Sequence, residues 1–439
     1  MDDIPKKRVT KPCGRTALVR RVGQGLLITS LLMALTGCAC GPALPKFQLS
    51  EMEPVDSPHF QSLVGAVLSA PFTAGNLIEP FHNGNEFFPA MLGAIRSAQR
   101  TVTFESFIFH TDAMSNAFAD AFIERARAGV KCHVILDALG GPKEDKIVRR
   151  MRAAGVEVHI YNPLRWYRPD LLRRYNYRTH RKLLIIDGRV GFTGGAAIDD
   201  AWDGDGRTPD QWRDSMYRVT GPVVAQMQGA FLNNWMRGQG EILHGEEYFP
   251  ELKIAGNSRA LVFVSDSFGP GQEVVLHYLL SFEAARESIL LETAYLLLDD
   301  TLEQALIAAR ERGVRVQVVV PGENIDSLLA RACSRRGYGD LLEVGVEIFE
   351  YQPALFHSKL MIVDGQWVSI GSSNMDHRSF RLNDEANMIV HDARLGAELT
   401  DVFEQDRELS RSITYEMWKD RSWLERVMGL TASLFGPQM

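Results

Sequence analysis

Apolar residues recur at helical spacing over Phe87–Gln99, Ser115–Ala128, Val274–Glu287 and Leu302–Arg312, whereas Thr101–Glu105 and Ser288–Glu292 read as short strands. Each half of the chain therefore predicts helix, strand, helix, strand, a short helical crossover, strand and then a hairpin. The two series also correspond locally. Ala128-Gly129-Val130-Lys131 parallels Arg312-Gly313-Val314-Arg315, and Gly155-Val156-Glu157-Val158 parallels Gly345-Val346-Glu347-Ile348. Alternating strands and helices predict an α/β sandwich in each half. A repeat of about 180 residues is too long for a solenoid unit and fits two domains facing each other across one site. The boundary is expected near Gly240–Gly256, with a first domain over 73–250 and a second over 251–408. Glu105 and Glu292 are expected to be buried strand-end carboxylates held by backbone groups.

The two hairpins carry the chemistry. His180-Arg181-Lys182-Leu183-Leu184-Ile185-Ile186-Asp187-Gly188 is matched by His357-Ser358-Lys359-Leu360-Met361-Ile362-Val363-Asp364-Gly365. Residues two apart in a strand share a face, so each His is expected beside its Lys. Asp-Gly reads as the turn into the returning strand. Past the turns stand Gly194-Gly195-Ala196-Ala197 and Gly371-Ser372-Ser373-Asn374, small residues that let an anion approach the backbone. Two His, two Lys, a Ser and an Asn suit a phosphodiester. One imidazole attacks phosphorus to form a phosphohistidine, and the other protonates the leaving alcohol and then activates the incoming one. The lysines and Asn374 balance charge on the phosphate oxygens.

This duplicated His-x-Lys-x4-Asp, followed by Gly-Ser-x-Asn in the second copy, resembles the phospholipase D superfamily. Gly194-Gly195, Asn374-Met375-Asp376-His377-Arg378-Ser379 and Leu382-Asn383-Asp384-Glu385 are similar to bacterial cardiolipin synthases within it. The resemblance implies two similar phospholipase D-type α/β/α sandwich domains related by a pseudo-twofold axis, with the active site between them. It implies His180, Lys182, Asp187, His357, Lys359 and Asp364 as the catalytic set, Ser372 and Asn374 as phosphate binders, and Asp214 and Glu385 as acids that orient the imidazoles. His180 is carried over as nucleophile and His357 as acid and base, although the sequence alone supports the reverse equally. Ala197 departs from the family pattern, so only the second copy supplies the amide. The implied reaction joins two phosphatidylglycerol molecules into cardiolipin with release of glycerol. Hydrolysis of phospholipid is the alternative, and a nuclease the less favoured one. Neither a cofactor nor a metal is implied.

Composition refines this picture. The formal charge is −7, and removing residues 1–37 takes away seven bases and two acids, so the remaining body is more acidic still. That argues against a general nucleic-acid binder. Between Tyr161 and His180 lie 18 residues, against five between Tyr351 and His357. The longer stretch interleaves Arg165, Trp166, Arg168, Arg174, Tyr175 and Arg178, a mix suited to a phosphate-rich surface, either lipid headgroups or a nucleic-acid backbone. The first 37 residues run from basic to apolar and lead into Leu35-Thr36-Gly37-Cys38, which resembles a lipoprotein signal whose lipidated residue is Cys38. That places the enzyme at a bacterial cell envelope as a membrane-anchored lipoprotein, on the periplasmic or exterior face. Residues 38–72 are expected to be a tether and docking segment. Residues 409–439, with Trp418, Trp423, Leu424, Val427 and Met428 among Lys419, Arg421 and Arg426, predict an amphipathic tail that lies on a membrane. The five cysteines indicate neither a disulfide framework nor a metal cluster.

Overall fold

The computed structural model describes residues 47, 52–141, 146–164, 167, 170–266 and 272–433. The expected signal segment, Cys38, Arg165, Trp166, Arg168, Leu434 and Phe435 lie outside the described residues.

The two motif hairpins show why their strands read as unbroken apolar runs. Leu183 and Ile185 of strand Leu183–Ile186 enter one core and Leu184 and Ile186 another. In the second copy Leu360 and Ile362 share the first of these cores, while Met361 and Val363 enter a third. Strands buried on both faces need no polar alternation. Each hairpin turns at its Asp-Gly, where Asp187, Gly188, Asp364 and Gly365 all have φ between 50° and 64°. Two successive positive φ values fit a type I′ turn, whose twist matches that of the paired strands.

Around these hairpins each half builds a mixed sheet in the same order. From the join outward the first half runs Thr73–His82, Ser215–Thr220, Val190–Gly194, Leu183–Ile186, Thr101–Ser106, Lys131–Asp137, Glu157–Tyr161. The second runs Ser258–Val264, Ala386–His391, Trp367–Gly371, Leu360–Val363, Ser288–Glu292, Arg315–Pro321, Glu347–Tyr351. Thr73–His82 pairs antiparallel with both Ser215–Thr220 and Ser258–Val264, so the two sheets join into one of 15 strands. The core shared by the halves lies under helices Val224–Gln239 and Ala393–Glu408. Helices Gly84–Ser97 and Ala113–Arg127 cover the other face of the first half, and Glu273–Ala284 and Asp300–Glu311 that of the second.

Two elements flank the repeat. Helix Pro58–Val67 begins at Ser57, whose hydroxyl accepts from the His59 and Phe60 amides, and docks on the second half with the Phe60 ring tilted against Trp367 at 5.2 Å. Strand Ser410–Ile413 covers the outer edge of the second sheet, pairing antiparallel with Glu347–Tyr351. Among the described residues no equivalent strand covers Glu157–Tyr161. The tail is not one helix: Tyr415–Lys419 is followed by Trp423–Ser433.

Candidate active site

Each catalytic-motif histidine emerges from a two-residue strand that pairs with the opposite half. Arg178–Thr179 runs parallel to Asn383–Asp384, and Leu355–Phe356 runs parallel to Trp212–Arg213. These short ladders continue through the histidines, as the His180 amide donates to the Asp384 carbonyl at 2.9 Å and the His357 amide to the Arg213 carbonyl at 2.8 Å. Each imidazole thereby lands on the other half's acid. His180 Nδ1 lies 3.0 Å from both oxygens of Glu385, and His357 Nδ1 lies 2.7 Å from Asp214 Oδ2. With Nδ1 held by a carboxylate, Nε2 is left to face substrate.

The two acids are supported by different means at equivalent places. Ser372 and Ser379 donate to Glu385 at 2.5 and 2.8 Å. Asp214 accepts from the Trp202 indole at 3.0 Å and the Ser215 amide at 2.8 Å. Trp202 and Ser379 occupy corresponding positions in the repeat. Gly195 corresponds to Ser372, and a Cβ there would stand 2.2 Å from Asp214 Oδ1, so only glycine admits this acid. Arg213 binds the halves further: it lies on Asp406 at 2.6 and 3.1 Å and is buried.

Burial sets the electrostatics. His357 is pushed down to about 3 by burial and the Lys359 charge, against the pull of Asp214. Burial likewise lowers His180, with Glu385 opposing. Burial lowers Lys182 to about 7 and Lys359 to about 8. Burial would raise Glu385, but its pairing with His180, the Lys182 charge and the Ser372 hydrogen bond hold it at about 2. The site thus holds two neutral imidazoles, two ionised carboxylates and two easily deprotonated ammonium groups. Those ammonium groups fold back on their own strands, Lys182 Nζ donating to the His180 carbonyl at 2.8 Å and Lys359 Nζ to the His357 carbonyl. An anion placed between them would raise all four basic groups.

A cavity of about 330 Å³ opens onto His180, Lys182, His357 and Asn374. Its walls are largely apolar: Phe107 stands edge-on to His180 at 5.5 Å, Trp202 and Trp212 lie 5.4 and 5.2 Å from His357, and Leu139, Leu297 and Ala330 extend the lining. The side-chain oxygen of Asn374 is buried with no hydrogen-bond partner among the described residues, and the residue lines the cavity.

Several expectations are corrected. Asp187 and Asp364 stand outside the reacting centre, at the far end of their strands, about 20 Å along the chain from each His at the usual rise per residue. Asp187 accepts from the amides of Gln99, Arg100 and Thr101, and Asp364 from those of Arg286, Glu287 and Ser288. Three amide donors neutralise each carboxylate and fix the entry of the adjacent strand. Ser372 is engaged by Glu385 and does not line the cavity. Arg178, expected among the headgroup-facing cations, is held on Asp137 at 2.6 Å and forms part of the cavity wall. Glu105 is held by side chains and not backbone, those of Thr179 and Asn234. Trp202, Ser379 and Arg213 went unrecognised in the sequence, although their repeat positions or neighbourhood in Gln211-Trp212-Arg213-Asp214 gave a signal.

Comparison with known proteins decides the family. The model described as "Cardiolipin synthase, PLD-like domain" matches residues 91–207 and 279–407. The chain belongs to the phospholipase D-like family. Within this family it is 32% identical over 353 residues to a cardiolipin synthase of Oceanobacillus iheyensis, covering 80% of this chain and 73% of that one. It is 33% identical over 365 residues to a cardiolipin synthase of Listeria monocytogenes, covering 82% and 74%. The phospholipase D-like fold also matches the crystal structure of phosphatidylserine synthase from Haemophilus influenzae, with a TM-score of 0.65 at 15% identity over 85% of this chain and 97% of that one.

Proposed function

We propose that the protein is a membrane-bound phosphatidyltransferase that makes cardiolipin from two phosphatidylglycerol molecules. The observation that carries this is the pair of histidines, each backed by the other half's carboxylate, on one apolar-walled cavity. Neutral His180 attacks phosphorus through Nε2. The P–N bond forms as the P–O bond to the departing glycerol breaks, and His357, which acquires a proton once the anionic phosphodiester is bound, gives it to that oxygen. His357 then removes the proton from the headgroup hydroxyl of a second phosphatidylglycerol, whose oxygen displaces His180 from phosphorus. Lys182, Lys359 and Asn374 hold the phosphate oxygens throughout. The apolar walls favour a lipid alcohol over water as acceptor.

Membrane attachment is read from both ends. Helix Trp423–Ser433 buries Gly429 and Ala432 and leaves Trp423 74% and Leu430 58% exposed. It packs on helix Leu328–Arg336, whose Leu328 is 75% exposed and whose Ala330 lines the cavity. A helix that hides its small residues and presents its large apolar ones suits a bilayer surface. Cys38 supplies a lipid anchor at the bacterial envelope.

The test is lipid analysis of a cardiolipin-free host expressing the protein. Cardiolipin should accumulate with the wild type and with neither His180→Ala nor His357→Ala. Phosphatidic acid in place of cardiolipin would establish hydrolysis instead. For the anchor, mass spectrometry of the mature N-terminus should find a lipidated Cys38; an unmodified chain beginning at Met1 would refute it.

A further inference from the structure

His133 and Glu157 are register partners on the parallel strands Lys131–Asp137 and Glu157–Tyr161, so their side chains share a face, and Glu241 joins them from beyond helix Val224–Gln239. One ligand atom from each lies within 4.8 Å of the other two. His133 is 2% exposed. Its Nε2 is 2.8 Å from the Tyr248 hydroxyl, while its Nδ1 is buried, without a hydrogen-bond partner among the described residues and 3.7 Å from Glu157. One Glu241 oxygen is fixed by the Trp235 indole at 3.1 Å. Lys131, at the start of the same strand as His133, is bonded to Glu247 at 2.6 Å. The buried, unpartnered Nδ1 faces two carboxylates, a donor set that a cation between them would complete.

The other half shows the same positions without this donor set. Gln317 and Glu347 stand where His133 and Glu157 do in the repeat, and they bond directly at 3.1 Å, with no third acid grouped with them among the described residues. Only the first half replaces that pair with one nitrogen and two carboxylates. Calcium and magnesium prefer all-oxygen shells, whereas imidazole with carboxylate suits first-row metals. Ligand atoms about 2.0–2.2 Å from zinc stand roughly 3.4 Å apart, a contraction that two exposed glutamates can make. A cleft lined by Glu157, Gln239 and Glu241 gives water access to a fourth position.

We propose that His133, Glu157 and Glu241 bind one first-row divalent cation, preferentially zinc, as a structural site fastening the outer strand of the first half to the segment after helix Val224–Gln239. In the second half the extra strand Ser410–Ile413 fastens the equivalent edge.

The experiment uses the full chain, stripped with chelator and titrated with zinc chloride, with metal content and thermal unfolding as readouts. Wild type should retain one zinc per chain and melt roughly 2–6 °C higher in excess zinc. His133→Gln, which restores the second-half pairing, and the surface change Glu241→Gln should each lose both effects while keeping transferase activity at 25 °C. No retained zinc and no shift in the wild type overturns the proposal. So does zinc that survives both substitutions but is lost in His180→Ala, which would put the metal at the catalytic histidines.

Discussion

At the scale of single residues, the mechanism rests on which proton each imidazole carries. Glu385 and Asp214 fix that by holding Nδ1. Replacing Glu385 with Gln, or Asp214 with Asn, keeps the volume but lets the amide donate where a carboxylate accepted, favouring the wrong tautomer. Either change should lower kcat roughly 10²–10⁴-fold in a transfer assay with dispersed phosphatidylglycerol. Unchanged kcat in both variants would remove the orienting role. The lysines set the pH response. Lys182 and Lys359, lowered by burial to about 7 and 8, hold their protons below those values and lose them above, so phosphate affinity is present at low pH and fades as pH rises. His180 behaves oppositely, since the attacking imidazole must be neutral and burial lowers it below the ordinary histidine range. For the free enzyme, kcat/KM should therefore fall above about pH 7–8, with its acid limb well below 6.5. An acid limb at 6.5 or higher would contradict the buried neutral His180.

At the scale of elements, the hairpins were the most legible part of the chain, because a period-two pair, an apolar run and Asp-Gly each specify strand, burial and turn by independent physics. The same compactness misled. Asp187 and Asp364 share the motif with the histidines, yet serve the backbone of the neighbouring strand. Strand Ser410–Ile413 was hidden because it is a short, mostly polar edge that owes its existence to Glu347–Tyr351 and not to its own pattern. The tail was legible in its exposed apolar face and illegible in its break, which follows from Trp418 docking its indole on the Arg335 carbonyl at 2.7 Å. That face gives a prediction. Trp423→Ala combined with Leu424→Ser removes exposed apolar area and no described core contact. Affinity for phosphatidylglycerol vesicles should drop at least about tenfold in a co-sedimentation assay, with activity on detergent-dispersed lipid preserved. Equal vesicle binding would show that the helix does not meet the bilayer.

At the scale of the whole molecule, the repeat could be read from sequence because both halves keep the same element order. Their fusion into one sheet could not, since it depends on a single strand, Thr73–His82, accepting partners from both sides. Nor could the exchange of acids between halves. His180 and Glu385 are separated by 205 positions and His357 and Asp214 by 143, and no local pattern reports a contact across such spans. The same limit hid the grouping of His133, Glu157 and Glu241, drawn from three separate segments.

The exchange also imposes a timetable on synthesis. When the ribosome has finished the first half, His180 has no carboxylate behind it and Asp214 has no imidazole before it. His357 can meet Asp214 only once residue 357 has been made, and His180 can meet Glu385 only after residue 385. A chain cut short or stalled before that point therefore lacks at least one of the two histidine–carboxylate pairs. The enzyme becomes competent only then, with both of its histidines armed.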